Sequence, residues 1–150
     1  MTTVRQVLKE KDRGLWSVHP DNSIHDAMKV MMERDIGSLL VIADTRLLGI
    51  VTERQFARSV ISHCESSAGI TVSKIMEPPI PSVGPNDTIE ECMALMTNRR
   101  VRYLPVLGQG NPIGILSIGD IVNWIIHDQR TTIVHLEHYI HGHVANYQSP

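Results

Sequence analysis

The apolar positions of this chain follow a pattern that occurs twice. Ten residues of the first half recur in the same order 65 positions later, so that Val18, Pro20, Ile24, Met28, Met31, Arg34, Leu39, Val41, Gly49 and Ile50 correspond to Val83, Pro85, Ile89, Met93, Met96, Arg99, Leu104, Val106, Gly114 and Ile115. Near the N-terminus the offset becomes 68, as from Val4 to Val72, because the first copy has three extra residues between Lys9 and Leu15. Such a regular register predicts two copies of one structural unit.

Each copy contains the start signal of an amphipathic helix. Ser23 is followed three residues later by Asp26, and Thr88 is followed by Glu91. Because a Ser or Thr oxygen accepts from the N–H three residues on, and an acid suits the positive helix end, both patterns predict a helix N-terminus. The helical spacing that follows predicts two core-facing stripes, which contain Ile24, Ala27, Met28 and Met31 in one copy and Ile89, Cys92, Met93 and Met96 in the other. A methionine-rich partner surface is the alternative.

Short apolar runs bounded by turn residues predict the strands, which are WSV, SLLVIA and LLGIVT in one copy and PSV, YLPVL and PIGILS in the other. A second helix is predicted from Glu53 to Ser62 and from about Ile118 to Asp128, with a loop over 62–69 and a short extra helix from Thr131 to His143. Each copy is then a β-α-β-β-α unit. Because one unit cannot bury its own sheet, we expect an α/β (α+β) fold in which two units pack sheet against sheet with pseudo-two-fold symmetry, followed by a C-terminal helix.

The composition of the chain limits the classes of partner that it is expected to bind. The chain has 150 residues, enough for one domain with its own core, and a net charge of −2 with a pI near 6.4. Such a charge provides no field for nucleic acid or anionic lipid, and no apolar run approaches the roughly 20 residues that span a bilayer. The N-terminus lacks a signal-peptide core, and Cys64 and Cys92 form no C-x-x-C pair. We therefore expect a cytoplasmic protein that binds neither nucleic acid nor membrane.

No constellation of residues predicts catalysis or metal binding. His135 and His138 share a helix face, with His141 and His143 nearby, but no cysteine or clear fourth ligand accompanies them, so a solvated or dimer-facing tail is the preferred interpretation. The sequence also lacks a Gly-x-Ser-x-Gly elbow and a phosphate-loop lysine motif. We expect no enzyme activity, no catalytic cofactor and no metal site.

The segments DIGSLLVI, LGIVTERQF, VRYLPVL and IGILSIGDI, in this order, resemble the CBS (cystathionine β-synthase type) repeat. The resemblance covers residues 4–127, and the ending LEHYIHG resembles that of small bacterial proteins made of one CBS pair. It implies a Bateman-type module with one repeat in residues 1–64, a second in 65–129, and a C-terminal helix and tail in 130–150. It also implies two clefts between the sheets, each able to hold an adenine nucleotide such as AMP, ATP or NAD(H).

The resemblance centres the better formed cleft on Ser117, Gly119 and Asp120, because the family has a Ser or Thr at a strand end and an Asp three residues later. A carboxylate there can accept from ribose hydroxyls while the helix N-terminus favours phosphate. Capping of the helix alone is the alternative for this pair. By similarity the wall also contains Lys11, Trp16, Ile36, Gly37, Arg102 and Tyr103. Of these, Lys11 and Arg102 are candidate phosphate donors, and Trp16 either stacks on the base or fills the core.

The first copy departs from the family pattern. Gln55 stands three residues after Thr52, where the family usually has Asp, so that a neutral amide replaces a carboxylate. We therefore expect a weaker second cleft, which by similarity is formed by Thr52, Arg54, Gln55, Pro81 and Val101. Weak binding, binding of a different ligand and an empty cleft are the alternatives for it.

The resemblance implies a regulatory, non-catalytic module in signal transduction that senses energy or redox state through an adenine nucleotide. Family members commonly pair, so we expect a homodimer whose two-fold axis relates like clefts, acting on a regulated protein that the sequence does not identify. The alternative is a protein-interaction or dimerisation adaptor with vestigial clefts, which Gln55 and the appended C-terminal helix favour.

Overall fold

A computed structural model describes residues 1–11, 14–63, 69–78 and 81–146. In these ranges the chain forms six helices and five strands. The helices are α1 (Val4–Lys11), α2 (Ile24–Arg34), α3 (Glu53–His63), α4 (Val72–Ile75), α5 (Ile89–Arg99) and α6 (Ile118–Asn146). The strands are β1 (Ser17–Val18), β2 (Ser38–Ala43), β3 (Arg46–Thr52), β4 (Tyr103–Gly108) and β5 (Asn111–Ser117).

The strands form two small sheets with equivalent registers. β2 and β3 pair antiparallel, as do β4 and β5, and the register shifts once in each pair, after Val41 in one and after Val106 in the other. β1 adds a parallel strand to the first sheet, whereas the predicted PSV strand of the second copy contributes only a bridge from Val83 to Val106. Strands β3 and β5 bring the two sheets into contact. The predicted α/β class with two related units is confirmed.

The helix starts predicted from the sequence are confirmed by their caps. The Ser23 hydroxyl accepts from the Asp26 N–H at 3.0 Å, and α2 begins at the next residue. Thr88 and Glu91 form a complete capping box at the start of α5, in which the Glu91 carboxylate accepts from the Thr88 N–H at 2.9 Å. These hydrogen bonds from Thr88 lower the pKa of Glu91.

The core stripes are confirmed with one exception. The remaining members of the two stripes are buried or partly buried, but the Met93 side chain is 41% exposed, so its assignment to the core was wrong. Met93 is adjacent to the fully buried Cys92, and it therefore projects from the edge of the α5 stripe. Burial, together with the charges of Asp87 and Glu91, raises the pKa of the Cys92 thiol to about 11.

The two copies exchange their short first helices, which the apolar pattern did not reveal as helices. Val4 and Val7 of α1 are buried in the core of the second copy, together with Ile89 and Leu104. In the same way Val72 of α4 is buried in the core of the first copy. Backbone hydrogen bonds join each exchanged helix to the other copy. Near α1, the N–H groups of Val4 and Arg5 donate to the carbonyls of Asp87 and Pro85. Near α4, the Val72 N–H donates to the Asn22 carbonyl, and the Ile24 N–H donates to the Ile70 carbonyl. The copies are therefore interdependent in folding.

Two glycines at equivalent positions allow this exchange. A Cβ on Gly49 of β3 would collide with the backbone oxygen of Glu77, and a Cβ on Gly114 of β5 would lie 3.2 Å from the side chain of Leu8. Gly49 is therefore required because the backbone that follows α4 passes close to it, and Gly114 because a side chain of α1 packs against it. The pair Ile50 and Glu77 exchanges two backbone hydrogen bonds of 2.9 and 3.1 Å at the first crossing.

The C-terminal region differs from the sequence prediction. Residues Ile118 to Asn146 form one helix instead of two, because nothing between Asp128 and Thr131 breaks it and the hydroxyls of Thr131 and Thr132 donate to carbonyls one turn earlier. The predicted loop over 62–69 begins later, since α3 continues to His63, and its residues 64–68 lie outside the described part of the chain.

Candidate functional site

A cleft of about 340 Å³ lies where the two copies meet. Residues from both copies line it, and they include all nine members of the better cleft predicted from the sequence: Lys11, Trp16, Ile36, Gly37, Arg102, Tyr103, Ser117, Gly119 and Asp120. Gly14, Leu15, Asp35, Ser38, Ile115 and Ile118 complete the wall. We call this space the Asp120 cleft.

The folding of the second copy positions one side of the Asp120 cleft. Ser117 is the last residue of β5 and pairs with Tyr103, the first residue of β4, so the two strand ends meet at the cleft. Helix α6 begins at the next residue, Ile118, whose N–H donates to the Arg102 carbonyl at 2.9 Å. A strand end, a helix N-terminus and two polar side chains thus converge on the same space, which favours binding of an anionic or hydroxylated ligand.

Asp120 caps α6 and pairs with Lys11. The Asp120 N–H donates to the Ser117 hydroxyl at 3.1 Å, and its Oδ2 accepts from the Ser117 N–H at 2.7 Å. Lys11 Nζ donates to the same Oδ2 at 2.7 Å and to the Ile115 carbonyl at 3.0 Å. Both side chains are largely buried, with 21% and 17% of their surfaces exposed. Ser117 and Asp120 therefore cap α6, as the alternative interpretation of this pair predicted. The other carboxylate oxygen, Oδ1, accepts no hydrogen bond from the described residues and is available to a ligand.

Arg34 contacts Trp16, which lines the Asp120 cleft. The guanidinium of Arg34 lies 3.9 Å from the centroid of the Trp16 ring, a cation–π contact. One face of the indole is thus covered by a residue that sequence reasoning did not place at the site. The αL conformation of Asp35, which ends α2, turns the chain so that Ile36 and Gly37 reach the cleft.

A second cleft of about 430 Å³ surrounds Gln55, and we call it the Gln55 cleft. Thr52, Arg54, Gln55 and Val101 line it as predicted, whereas Pro81 is not among the described residues of its wall. Gln55 Oε1 accepts from both the N–H and the hydroxyl of Thr52 at 2.6 Å. The amide oxygen thus occupies the position that the Asp120 carboxylate occupies in the other copy. Glu53, Glu77 and Arg100 also line the cleft and were not predicted; the position of Glu77 depends on the exchange of α4, and that of Arg100 on the turn after α5.

Gly37, Arg102 and Tyr103 belong to the walls of both clefts. A Cβ on Gly37 would lie 2.7 Å from the Tyr103 hydroxyl, so glycine lets the tyrosine lie across this boundary. Burial and the charge of Glu53 raise the pKa of Tyr103, with Arg102 opposing and Asp120 adding to the shift. The phenol therefore stays protonated at neutral pH and can donate a hydrogen bond.

The C-terminal histidines make local contacts. Ring nitrogens of His138 and His141 lie 3.0 and 2.8 Å from carbonyls of their own helix, at Val134 and Glu137. Within the described ranges no group of three or more His, Cys, Asp or Glu residues is arranged to hold a metal ion. None of the helices in those ranges combines the length and the apolar character needed to cross a membrane.

Comparison with known proteins agrees with this geometry. The family model of the CBS domain matches residues 4–62 and 72–127. The chain is 34% identical over 151 aligned positions to the mitochondrial CBS domain-containing protein CBSX3 of Arabidopsis thaliana, covering 94% of this chain and 73% of that protein. It is 44% identical, with a TM-score of 0.80, to a solved structure from Burkholderia ambifaria MC40-6, described in provisional terms as a signal-transduction protein with CBS domains; 85% of this chain and 96% of that one are covered. The solved CBS-domain protein ATU1752 of Agrobacterium tumefaciens is 36% identical, with a TM-score of 0.76 over 81% of this chain and 98% of that one. This chain belongs to the CBS-domain family, as a tandem pair of CBS repeats.

Proposed function

We propose that this CBS pair is a non-catalytic regulatory module of the cytoplasm that binds an adenine nucleotide in the Asp120 cleft. The observation that carries the proposal is the convergence of nine residues from both copies on one cleft. At the N-terminal end of α6, the Oδ1 of Asp120 accepts no hydrogen bond from the residues that the structure describes. A cleft lined by aliphatic and aromatic side chains with a few convergent polar groups is the usual form of a small-molecule site.

The polar groups of the Asp120 cleft match the chemistry of a nucleotide. Asp120 Oδ1 would accept from a ribose hydroxyl while Oδ2 keeps its hydrogen bond to the Ser117 N–H. Arg102 offers a planar fork of donors for phosphate oxygens, and Lys11 adds a second positive charge 2.7 Å from the carboxylate. The apolar wall that includes Ile36 would contact the base. Each group binds or orients, and none is placed to react.

The Gln55 cleft is proposed to bind nucleotide weakly or to stay empty. Its equivalent of the carboxylate is an amide whose oxygen already accepts two hydrogen bonds from Thr52, so a ribose would meet a neutral and engaged acceptor. Arg54, Arg100 and Arg102 outnumber Glu53 and Glu77 in its wall, which favours an anionic group over a neutral one.

Calorimetry tests the proposal. AMP, ATP, NAD and S-adenosylmethionine are titrated separately into the purified chain, and one ligand is expected to bind with a stoichiometry near one per chain. Mass spectrometry of small molecules released from the freshly purified protein identifies a ligand that was carried through purification. Absence of heat from all four ligands, together with absence of any retained nucleotide, would show that the clefts do not serve this purpose.

We also propose that the module is a homodimer. The carrying observation is the row of exposed apolar side chains on α6, which includes Val122, Ile126 and Ile133. The same row favours the second candidate function, an adaptor whose clefts are vestigial. Light scattering at micromolar concentration tests the dimer, and a monomeric mass would remove it. A dimer that binds none of the four ligands would favour the adaptor.

A further inference from the structure

The second half of α6 extends beyond the two copies as an exposed helix. Every side chain described from Ile126 to His141 is exposed. Five of the α6 side chains are nevertheless large and aliphatic and lie on one side of the helix: Val122, Ile126, Ile133, Leu136 and Ile140, with 43 to 59% of their surfaces exposed. A helix with such a stripe is stable in water when a partner covers the stripe.

The spacing of the stripe is that of a coiled coil. Ile126, Ile133 and Ile140 recur every seven residues, and Val122, Gln129 and Leu136 form a second series offset by three or four positions. In heptad terms the isoleucines occupy position a, and the second series occupies position d. β-branched residues at a with Leu at d favour two parallel strands, and this chain has isoleucine at all three a positions and Leu136 at one of the three d positions. The one polar member, Gln129, lies between apolar turns on both sides.

A second copy of this chain is the partner that the stripe fits best. In a parallel pair each a residue meets the same residue of the partner, so isoleucine meets isoleucine in three layers and Gln129 meets the partner's Gln129. Two amides at the same level can satisfy each other, because each carries both donors and an acceptor. An unrelated apolar helix would leave the Gln129 amide buried without a partner, which is unfavourable.

Charges at the edges of the stripe agree with the parallel pairing. Arg130 and Glu137 occupy position e, and in a parallel pair they would face Ile125 and Thr132 of the second copy at position g, so no like charges meet. An antiparallel pair that overlaps the whole stripe would place Arg130 beside the partner's Glu137, but it would also place Gln129 against the partner's Ile133. Exposed ion pairs contribute less than buried apolar layers, so the parallel arrangement is favoured.

We propose that α6 forms a short parallel coiled coil with α6 of a second copy, through the stripe from Val122 to Ile140. Fully burying one aliphatic side chain removes on the order of 100 Å² of apolar surface. Ten half-exposed side chains therefore bury about 500 Å², which is less than the roughly 1,200 Å² of a stable interface. The helix pair thus strengthens contact between the bodies of the two copies. In this respect the inference rests on the proposed homodimer, and its test requires no nucleotide.

Sedimentation equilibrium of full-length variants tests the stripe. Ile133→Asp and Leu136→Asp place a charge inside the proposed layers and are expected to raise the dimer dissociation constant at least tenfold. Val134→Asp is the matched control, because Val134 is exposed to a similar degree, 47%, but occupies position b, about 100° around the helix from Ile133 and outside the proposed layers, so it should change the constant less than threefold. Equal constants for Ile133→Asp and wild type would overturn the coiled coil and leave the dimer standing, whereas a monomeric wild type would overturn both.

Disulfide formation tests the orientation. Ile140→Cys is made in a Cys64→Ser background, where the remaining thiol, Cys92, is buried. In a parallel pair the two introduced thiols lie in one layer, within the reach of a disulfide, and mild oxidation should link most of the protein into a covalent dimer. In the antiparallel pair position 140 faces position 122, so the two introduced thiols lie about 27 Å apart along the axis, at about 1.5 Å for each of the intervening residues. No more linkage than for Val134→Cys would overturn the parallel arrangement.

Discussion

The charge of Asp120 is expected to determine nucleotide affinity, and Asp120→Asn tests this with little disturbance of the fold. The amide oxygen of Asn can still accept from the Ser117 N–H, which caps α6. Gln55 demonstrates the same substitution within this chain, because its amide oxygen accepts from the Thr52 N–H and hydroxyl at 2.6 Å. What Asn removes is the negative charge and the ion pair with Lys11.

The magnitude follows from the kind of hydrogen bond that is lost. A hydrogen bond to an ionised acceptor contributes about 1.5–3 kcal/mol, and one between neutral groups about 0.5–1.5 kcal/mol. Asp120→Asn therefore costs roughly 1–1.5 kcal/mol for each ribose hydroxyl, which is about a 5- to 13-fold rise in Kd for one hydroxyl and up to about 160-fold for two. Lys11, no longer paired with a carboxylate at 2.7 Å, becomes available to phosphate and offsets part of this loss.

Isothermal titration calorimetry with adenosine, AMP and ATP separates these two effects. Adenosine has no phosphate, so its affinity should fall by the full amount, about 5-fold to 160-fold, whereas the affinity for ATP should fall less because Lys11 compensates. Circular dichroism and a thermal melt verify that the variant is folded. A Kd for adenosine and AMP within twofold of wild type would refute the assignment of Asp120 as the ribose acceptor.

The reciprocal change is made in the other cleft. Gln55→Asp provides a carboxylate three residues after Thr52 and should raise the stoichiometry from about one nucleotide per chain to about two, provided that the amide is what weakens the Gln55 cleft. An unchanged stoichiometry in a folded variant would contradict that explanation of the asymmetry and would direct attention to the arginine-rich wall instead.

Three further predictions concern stability. Gly49→Ala should lower the free energy of unfolding by about 3 kcal/mol and Gly114→Ala by about 1 kcal/mol, because the first meets a backbone oxygen and the second a mobile leucine side chain; equal losses in urea unfolding would argue against this. Thr88→Ala should cost about 1 kcal/mol through loss of the capping box, and an unchanged urea midpoint would refute that. Because the pKa of Cys92 is raised to about 11, its thiol stays protonated in the native state at pH values where it ionises in the unfolded state. The free energy of unfolding, measured relative to that of Cys92→Ala, should therefore fall by roughly 1.4 kcal/mol per pH unit between pH 9 and 11. A difference that stays constant with pH would contradict the raised pKa.

Local signals in the sequence were sufficient for most of the fold. The caps at Ser23 and Thr88 depend on residues three positions apart, and the strand pairs depend on adjacent apolar runs, so each can be identified without knowledge of the rest of the chain. The exchange of α1 and α4 could not be identified in this way. Residues Val4 to Lys11 have an apolar side that suits either copy, and only the three-dimensional packing shows which copy receives it.

The site was predicted unevenly for a similar reason. Positions that follow a strand end or begin a helix, such as Ser117 and Gln55, were located by their place in the repeat. Contacts between separate segments were not, as Arg34 over Trp16 and Glu77 in the second cleft illustrate. Pro81 was assigned by similarity alone, and the chain after it makes only one bridge in place of the predicted strand, so the corresponding wall is not reproduced.

The helix exchange links the Asp120 cleft to the surface where self-association is proposed. Lys11 is the last residue of α1, which packs on the second copy. Its ammonium donates hydrogen bonds to the Asp120 carboxylate and to the Ile115 carbonyl. A nucleotide that recruits Asp120 and Lys11 therefore acts on the end of α1 and on the first turn of α6 together. Val122, where the apolar stripe begins, is two residues beyond Asp120 on that same helix. A change in the position or stability of the first turn would be transmitted along a continuous helix to the stripe, so that ligand binding and dimer affinity should depend on each other by linkage.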